Sequence, residues 1–150
     1  MSRKYEITKI TPEHNGVTLH QIIALKDFSN VKKGDLGGWI ESDKNLDQHG
    51  DSWVYENAWV YGNALVCGNA LVYDNARVYD NAWVYDNARV YDNGRLYDNG
   101  RVFDNGRVYD NAHICGDSWV YGDTRVSGNA SLYRNAQVYS NTIIKNGFIG

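Results

Sequence analysis

A strict six-residue repeat constrains the fold of this chain more than any other feature. Between residues 51 and 144, Asn or Asp is followed by a small residue and, two positions later, by Val, Leu or Ile. The motif [ND]-[AGST]-x-[VLI]-x-x occurs sixteen times in succession without an insertion. A period of six fits neither the 3.6-residue stripe of an α-helix nor the 3.5-residue repeat of a coiled coil. The repeat therefore predicts a β structure.

The arrangement within one unit predicts a coil. The small and the aliphatic residue are two positions apart, so both point to the same side of a strand of about three residues. Three such strands with short corners make a triangular coil of 18 residues, stacked on its neighbours at about 4.8 Å. We expect Asn to occupy the corner in a left-handed backbone conformation, which it tolerates at low cost.

The core aliphatic residues then form three internal columns, one on each face of the triangle. The first face holds Val54, Val72, Val90, Val108, Val126 and Ile144; the second holds Val60, Val78, Leu96, Ile114 and Leu132; the third holds Val66, Val84, Val102, Val120 and Val138.

The unit V-Y-D-N-A-R resembles the hexapeptide repeat of left-handed β-helix proteins, and the resemblance covers 94 of the 150 residues. It implies a left-handed coil, although the pattern alone leaves a right-handed β-helix open. The predicted fold is all-β. It consists of a left-handed parallel β-helix of 18-residue triangular coils over residues 51–150 and a small N-terminal β cap over residues 1–50.

Residues 1–50 do not repeat, and we predict that they cap the first coil. The segments YEITKI and VTLHQIIAL alternate as strands do and are joined by PEHNG, which predicts a hairpin. The following GDLGGWIES places Ile40 and Leu46 six positions apart, as in an imperfect first coil. A cap is favoured over an independent domain because an open coil end exposes unpaired backbone groups.

The stretch GDLGGWIESDKNL, followed by WVYENAWVYGNA, resembles a group of hexapeptide-repeat proteins encoded by phages and prophages. The resemblance implies a phage-derived protein that binds a protein of its bacterial host. Since some phage proteins with β-helical folds act against host defences, an inhibitor of the anti-CRISPR type is one hypothesis that it raises.

Composition excludes several classes of function. Fifteen basic and eighteen acidic residues give a net charge of −3, and no basic stripe predicts nucleic-acid binding. No apolar run approaches the roughly 20 residues of a membrane span, and the N-terminus lacks the apolar stretch of a signal peptide. Two cysteines without a pairing pattern indicate a reducing compartment. We therefore expect a protein of the bacterial cytoplasm.

The outward positions predict a binding surface on the third face. Eleven of the twelve Tyr follow a core aliphatic residue directly, and Trp and Arg fill most of the other outward slots. Stacked Tyr side chains could stabilise the sheet, bind a partner or do both, and Arg stems could instead shield the aromatic rings in solution. The residues predicted to bind a host protein are Trp83, Tyr85, Arg101, Phe103, Trp119 and Tyr121.

No catalytic, cofactor-binding or metal-binding residue is predicted. The four histidines, among them His14 and His113, are scattered without a metal-ligand spacing. Acyltransferases of the hexapeptide-repeat class use a histidine base and a loop thrown out from one coil. Here His113 is the only histidine on the repeat and no loop interrupts it. A non-enzymatic interaction module is therefore favoured, with an acyltransferase and a carbohydrate-binding β-helix as the alternatives.

The last coil predicts self-association. The repeat is followed by KNGFIG only, and Phe148 and Ile149 fall out of the six-residue register. We expect unpaired strand edges and the ends of three apolar columns there, a surface that proteins normally cover. Two copies meeting end to end would form a closed homodimer. The residues predicted at this interface are Ile143, Ile144, Phe148 and Ile149.

Overall fold

The computed structural model describes residues 3–10, 16–55 and 57–150, apart from the side chains of residues 9 and 10. Within these ranges every regular element is a β-strand, with the exception of one 3-10 turn at Asp43–Asn45. Strands from successive coils pair in parallel and form three sheets, one on each face of a solenoid. The parallel β-helix predicted from the repeat is confirmed.

Each coil contributes one two-residue strand to each face. The first face contains β4 (Trp53–Val54), β7 (Leu71–Val72), β10 (Arg89–Val90), β13 (Arg107–Val108), β16 (Arg125–Val126) and β19 (Ile143–Ile144). The second face contains β5 (Trp59–Val60), β8 (Arg77–Val78), β11 (Arg95–Leu96), β14 (His113–Ile114), β17 (Ser131–Leu132) and β20 (Phe148–Ile149). The third face contains β6 (Leu65–Val66), β9 (Trp83–Val84), β12 (Arg101–Val102), β15 (Trp119–Val120) and β18 (Gln137–Val138).

The interior is a dry stack of aliphatic and small side chains. All core aliphatic residues from Val54 to Leu132 have an exposure of 0%, and the small residue two positions earlier, most often Ala, is buried with them. Neighbouring coils are joined by backbone hydrogen bonds on both sides of each strand, as when Trp59 N donates to Ala76 O (3.1 Å) and Tyr61 N donates to Val78 O (3.0 Å). The three predicted columns are confirmed by the strand register.

The corners correct one prediction. The left-handed conformation belongs to the residue before Asn, which is Asp or Gly in most units, and not to Asn itself. Asp92, for example, has a φ of 54°, and Gly62 has a φ of 66°. The Asp side chain adds a bond of its own, because its Oδ2 accepts the backbone N–H of the residue one coil later: Asp110 N donates to Asp92 at 3.2 Å.

The N-terminal region extends the second face. Strand β1 (Tyr5–Ile10) pairs antiparallel with β2 (His20–Ala24), and β2 pairs antiparallel with β3 (Leu36–Ile40). Strand β3 then pairs in parallel with β5, and Leu46 bridges to Val66, so residues 36–46 follow the path of a coil. Residues 12–15 of the predicted PEHNG turn lie outside the described residues.

Trp53 occupies an outward slot of the repeat, and the structure corrects the expectation that such a slot is exposed, because the cap covers it. Its indole is 1% exposed and packs edge to face against Phe28 (5.2 Å between ring centroids) and Tyr5 (6.3 Å). The indole is outside the coil but inside the protein, so it contributes to the core and not to a binding surface.

The last strand shows how Phe148 and Ile149, which do fall out of the six-residue register, still continue the helix. Strand β20 pairs in parallel with β17, with Ile149 beside Leu132, so these residues continue the second face. The step is 17 residues instead of 18, and Gly147, with a φ of 99°, lies in the shortened corner. No helix in the described part of the chain is long and apolar enough to cross a membrane.

Candidate interaction surface

Two tryptophans and an arginine stack on the third face. Arg101 pairs with Trp83 on one side and Trp119 on the other, because the three residues occupy the same slot in successive coils. The Arg101 guanidinium lies 4.6 Å from the centroid of the Trp83 ring and 5.3 Å from that of Trp119. Both indoles therefore share one cation, an arrangement worth about 0.5–1 kcal/mol per contact at an exposed site.

An aromatic ladder runs beside this stack. Tyr85, Phe103 and Tyr121 lie one coil apart with ring centroids 4.9 and 4.8 Å from each other and planes within 3° of parallel. Tyr139 continues the ladder at 5.4 Å and is 53% exposed. Edge-to-face contacts join ladder and stack, as between Phe103 and Trp119 at 5.9 Å.

The structure therefore brings together all six residues predicted to bind a partner. We call these six, Trp83, Tyr85, Arg101, Phe103, Trp119 and Tyr121, the third-face surface. Trp83 is 40% exposed, whereas the rings of the ladder are half-buried by their neighbours. Burial raises the pKa of the Tyr85 hydroxyl, and the positive charge of Arg101 opposes that rise, so the phenol stays neutral.

A row of amides borders the stack at the preceding corner. The Asn63 side chain donates to Asn81 (3.2 Å), that of Asn81 donates to Asn99 (3.4 Å), and that of Asn99 donates to Asp117 (2.9 Å). Together with the two indoles and Arg101 this row lines a shallow groove of about 610 Å³. The third-face surface is thus apolar and cationic at its centre and polar at its rim.

His113 lies on the second face, away from the third-face surface. It faces outward and is half-buried, with the ring of Tyr97 edge to face at 6.3 Å. Burial, helped by the positive charge of Arg95, lowers the pKa of the imidazole, so the side chain is neutral near pH 7. His14 lies outside the described residues. Within the described ranges, no group of three His, Cys, Asp or Glu side chains could hold a metal ion.

The two cysteines are free and lie on different faces, Cys67 on the third and Cys115 on the second. Both are half-buried, and burial raises the pKa of the Cys67 thiol. A raised pKa lowers the thiolate fraction, so the Cys67 thiol is a weak nucleophile.

The cap contains a buried lysine that no motif or spacing in the sequence marks out. The ammonium of Lys4 is 0% exposed and donates to the carbonyl oxygens of Ser52 (2.8 Å), His49 (3.4 Å) and Gly50 (3.4 Å). Burial lowers its pKa to about 8, although the charges of Asp47 and Asp51 oppose this. Lys4 therefore satisfies backbone acceptors at the start of the helix.

The residues predicted to mediate self-association are largely exposed. Ile143 is 60% exposed, Phe148 79% and Ile149 36%, whereas Ile144 packs against the core. The interface itself stays a prediction.

Comparison with known proteins supports the solenoid and gives a partial relative. A family model described as YdcK Beta solenoid repeat matches residues 70–85. The "Uncharacterized acetyltransferase YdcK" of Escherichia coli (strain K12) is 48% identical to this chain over 40 residues. The match covers 27% of this chain and only 12% of that protein, so the similarity concerns a few repeats and not the whole of either protein.

Proposed function

We propose that this protein is a non-enzymatic binding module and that the third-face surface docks a protein partner. The observation that carries the proposal is the stack of Trp83, Arg101 and Trp119 beside a continuous aromatic ladder. Trp, Tyr and Arg are the residues that dominate binding energy in protein interfaces. An exposed apolar patch with a polar rim is also what marks such interfaces on otherwise polar proteins.

The same stack argues for a protein over a neutral sugar at this site. A sugar ring binds by lying flat on the face of an indole, and Arg101 covers one face of Trp83 and one of Trp119. Beyond the stack, Leu65 pairs with Trp83 and Gln137 pairs with Trp119, so the column presents apolar, amide and guanidinium groups together. Such a surface suits the mixed apolar and carbonyl groups of a protein.

The test compares two double variants on different faces. Trp83→Ala with Trp119→Ala removes both indoles of the stack, and Tyr61→Ala with Tyr97→Ala removes two rings at the same 36-residue separation on the second face. Each immobilised protein is exposed to bacterial lysate, and the retained proteins are quantified by mass spectrometry. We expect a partner held by the wild type and by the Tyr variant but reduced at least about tenfold by the Trp variant. Equal retention by both variants would exclude the third-face surface.

The kind of partner is inferred only from the GDLGGWIES segment, which resembles hexapeptide-repeat proteins encoded by phages and prophages. It suggests a host protein in the bacterial cytoplasm, where the thiols of Cys67 and Cys115 would stay reduced, and a counter-defence role of the anti-CRISPR type. Isolating the partner by the experiment above identifies it directly.

Acyl transfer is a second candidate, because the partial relative from E. coli is named an acetyltransferase. The half-buried His113 would have to serve as the base, and a neutral imidazole, which the lowered pKa favours, can accept a proton. Calorimetric titration with acetyl-coenzyme A separates the two candidates, since a binding module gives no saturable heat. A saturable signal that His113→Ala alters would favour the enzyme.

We also propose that the exposed apolar side chains of the last coil contact a second copy of the chain. Phe148→Asp with Ile149→Asp should reduce the mass measured by light scattering to that of a monomer, whereas Trp83→Ala with Trp119→Ala should leave it unchanged. A wild-type protein that is monomeric at micromolar concentration contradicts this proposal.

A further inference from the structure

We propose that Asn146 is a site of spontaneous covalent modification, at which the side-chain amide is lost as ammonia. The chain contains five Asn residues that are directly followed by Gly, and the structure describes four of these pairs. Three begin at Asn93, Asn99 and Asn105 inside the repeat, and the fourth begins at Asn146 in the corner between β19 and β20. Asn15, the fifth, lies outside the described residues.

The reaction joins the side chain of Asn to the backbone of the next residue. The backbone nitrogen of the following Gly gives up its proton to hydroxide and attacks Cγ of the Asn, so a C–N bond forms and closes a five-membered succinimide ring. The bond between Cγ and Nδ2 breaks, and the amino group takes up a proton and leaves as ammonia. Water then opens the ring at either carbonyl carbon, which yields Asp or isoaspartate. Glycine favours the reaction because it has no Cβ to hinder the approach.

In the three internal pairs the attacking nitrogen is held away from the side chain. The N–H of the Gly residue donates to the carbonyl oxygen three positions earlier, and this distance is 3.0 Å for Gly94 to Tyr91, for Gly100 to Tyr97 and for Gly106 to Phe103. All three glycines occupy the inward position of their units and are buried. Hydroxide therefore cannot reach their N–H groups while the coils are closed.

The amino groups that would leave are also engaged in the internal pairs. Nδ2 donates to the corner residue one coil later, at 3.3 Å for Asn93 to Asn111, 2.9 Å for Asn99 to Asp117 and 2.8 Å for Asn105 to Asp123. Ring closure has to break this bond as well as the bond of the Gly N–H. Because an internal coil contacts a neighbour on each side, opening it disrupts two interfaces and is rare.

The pair at Asn146 has neither restraint. Asn146 and Gly147 are exposed, and in the described part of the chain the Gly147 N–H donates no hydrogen bond. The Asn146 side chain only accepts, through Oδ1, from Asn129 N at 3.3 Å, which leaves its Nδ2 unengaged among the described residues. Strand β20 lies at the edge of its sheet and has one neighbour, β17, so local opening costs little there.

The modification would alter the surface proposed to contact a second copy, and this consequence rests on the proposed self-association. Either product replaces a neutral amide by a carboxylate, two positions before Phe148 and three after Ile143. Isoaspartate also adds one carbon to the main chain of the corner. A charge beside these exposed apolar side chains opposes their burial against another protein. The self-association should therefore weaken as the protein ages.

Peptide mapping of aged protein tests the modification by itself. The full chain is incubated at mildly alkaline pH, either folded or in denaturant, and is then cleaved after arginine. The four Asn–Gly pairs fall in separate peptides, residues 90–95, 96–101, 102–107 and 135–150, in which mass spectrometry measures the conversion of amide to acid. For each Asn, the rate in the folded protein is divided by the rate in denaturant, which cancels the influence of sequence neighbours. We expect a ratio close to unity for Asn146 and at least about tenfold lower ratios for the internal residues.

Two results of the mapping would overturn the proposal. One is a ratio at Asn146 as low as those of the internal residues. The other is conversion at Asn135 or Asn141 in place of Asn146, which fragmentation of peptide 135–150 distinguishes. Asn146→Gln is the matched control, because it keeps the amide but would need a six-membered ring, and position 146 should then stay unmodified.

Light scattering separates the modification from its consequence. Asn146→Gln should keep the mass of the freshly purified wild type, whereas Asn146→Asp, which carries the carboxylate of one product, should have a lower average mass at the same concentration. Equal masses of the two variants would contradict the consequence. A monomeric wild type would overturn the self-association together with this consequence, while the mapping result would stand on its own. Thermal melts of both variants exclude loss of fold.

Discussion

The cap and the β-helix are held together in different ways. In the helix the contacts recur from coil to coil: the same backbone bonds join successive coils, and the same Asp-to-backbone bond and ring stack appear at several steps. In the cap the important contacts occur once. The ammonium of Lys4 bonds to three carbonyls, and the side chain of Asn45 donates to Gly62 O and Ala64 O while accepting from Ser42 N.

The difference determines how each region responds to substitution. A solenoid is approximately a sum of repeat and nearest-neighbour terms, so its outward residues can vary with local consequences only. The cap has no second copy of any contact, and a single change there alters the way the first coil is closed. Binding surfaces can therefore change readily on the faces of the helix and only at a cost in the cap.

The largest expected effect concerns the interior of the helix. Val90→Asp should prevent folding, because an unpaired carboxylate in a dry core costs several kcal/mol, a large part of total stability. Arg89→Asp, one position away and outward, should cost less than about 1 kcal/mol. Thermal melts of the two variants decide the matter, and similar losses would mean that inward and outward positions do not differ as described.

The next effect separates two tryptophans of the helix, one covered by the cap and one on an open face. Trp53→Ala empties a site filled against Tyr5 and Phe28 and should destabilise the protein by about 3–5 kcal/mol. Trp83→Ala removes a 40% exposed ring and should cost about 1 kcal/mol or less. Denaturant titration measures both. Equal losses of unfolding free energy would show that the Trp53 indole under the cap contributes no more to stability than the exposed Trp83 indole.

A pH effect distinguishes the cap further. The pKa of Lys4 is about 8 in the folded protein and 10.5 as its ordinary value, so between these values the unfolded chain binds more protons and stability rises with pH. Burial raises the pKa of Tyr5, which opposes the gain only above about pH 10, where unfolded tyrosine ionises. The contribution of Lys4 to the free energy of unfolding should therefore increase from pH 8 to 9.5, and the raised pKa of the Cys67 thiol opposes this increase above about pH 9.

The control for this pH effect is Lys4→Met, which keeps the apolar stem and removes the ammonium. Its free energy of unfolding should be lower, since three carbonyls lose their donor, and should change less over the same range. A parallel rise in both proteins would assign the pH dependence to another group.

The smallest effect tests the repeated corner contacts. Burial raises the pKa of Asp92, and the neighbouring carboxylates of Asp74 and Asp110 raise it further. The charged form of Asp92 therefore destabilises the folded protein at pH values above this pKa. Asp92→Asn keeps a residue that tolerates a left-handed backbone and removes the charge. We expect a gain of a few tenths of a kcal/mol at pH 7 that disappears near pH 3. A loss at pH 7 would mean that the carboxylate is needed for its bond to Asp110 N.

The repeat was sufficient to predict the helix, its faces and the grouping of the third-face residues, because each follows from counting in steps of six and eighteen. The left-handed corner was assigned to Asn, since Asn and Asp both tolerate that conformation. The glycines at 62, 68, 116, 122 and 128 share the slot of the Asp residues and were the signal that could have decided it.

Contacts that do not repeat could not be predicted. The burial of Trp53 depends on Tyr5 and Phe28, which are 48 and 25 positions away and belong to no periodic pattern. The order Trp83, Arg101 and Trp119 follows from counting, but the distance of the guanidinium from each indole depends on side-chain rotamers that the sequence does not specify.

The triangular cross-section gives insertions and deletions of different lengths very different meanings. Removing 18 residues deletes one coil and leaves every later strand on its own face. Removing six residues keeps an aliphatic side chain at every interior position but rotates all later strands by one side of the triangle. After such a deletion within residues 92–100, Arg107 and Arg125 would leave the line of Arg89, and Trp119 would leave that of Trp83. The third-face surface would be lost in a chain whose interior pattern still matched, so the number of residues between coils determines which side chains share a face separately from whether the core can form.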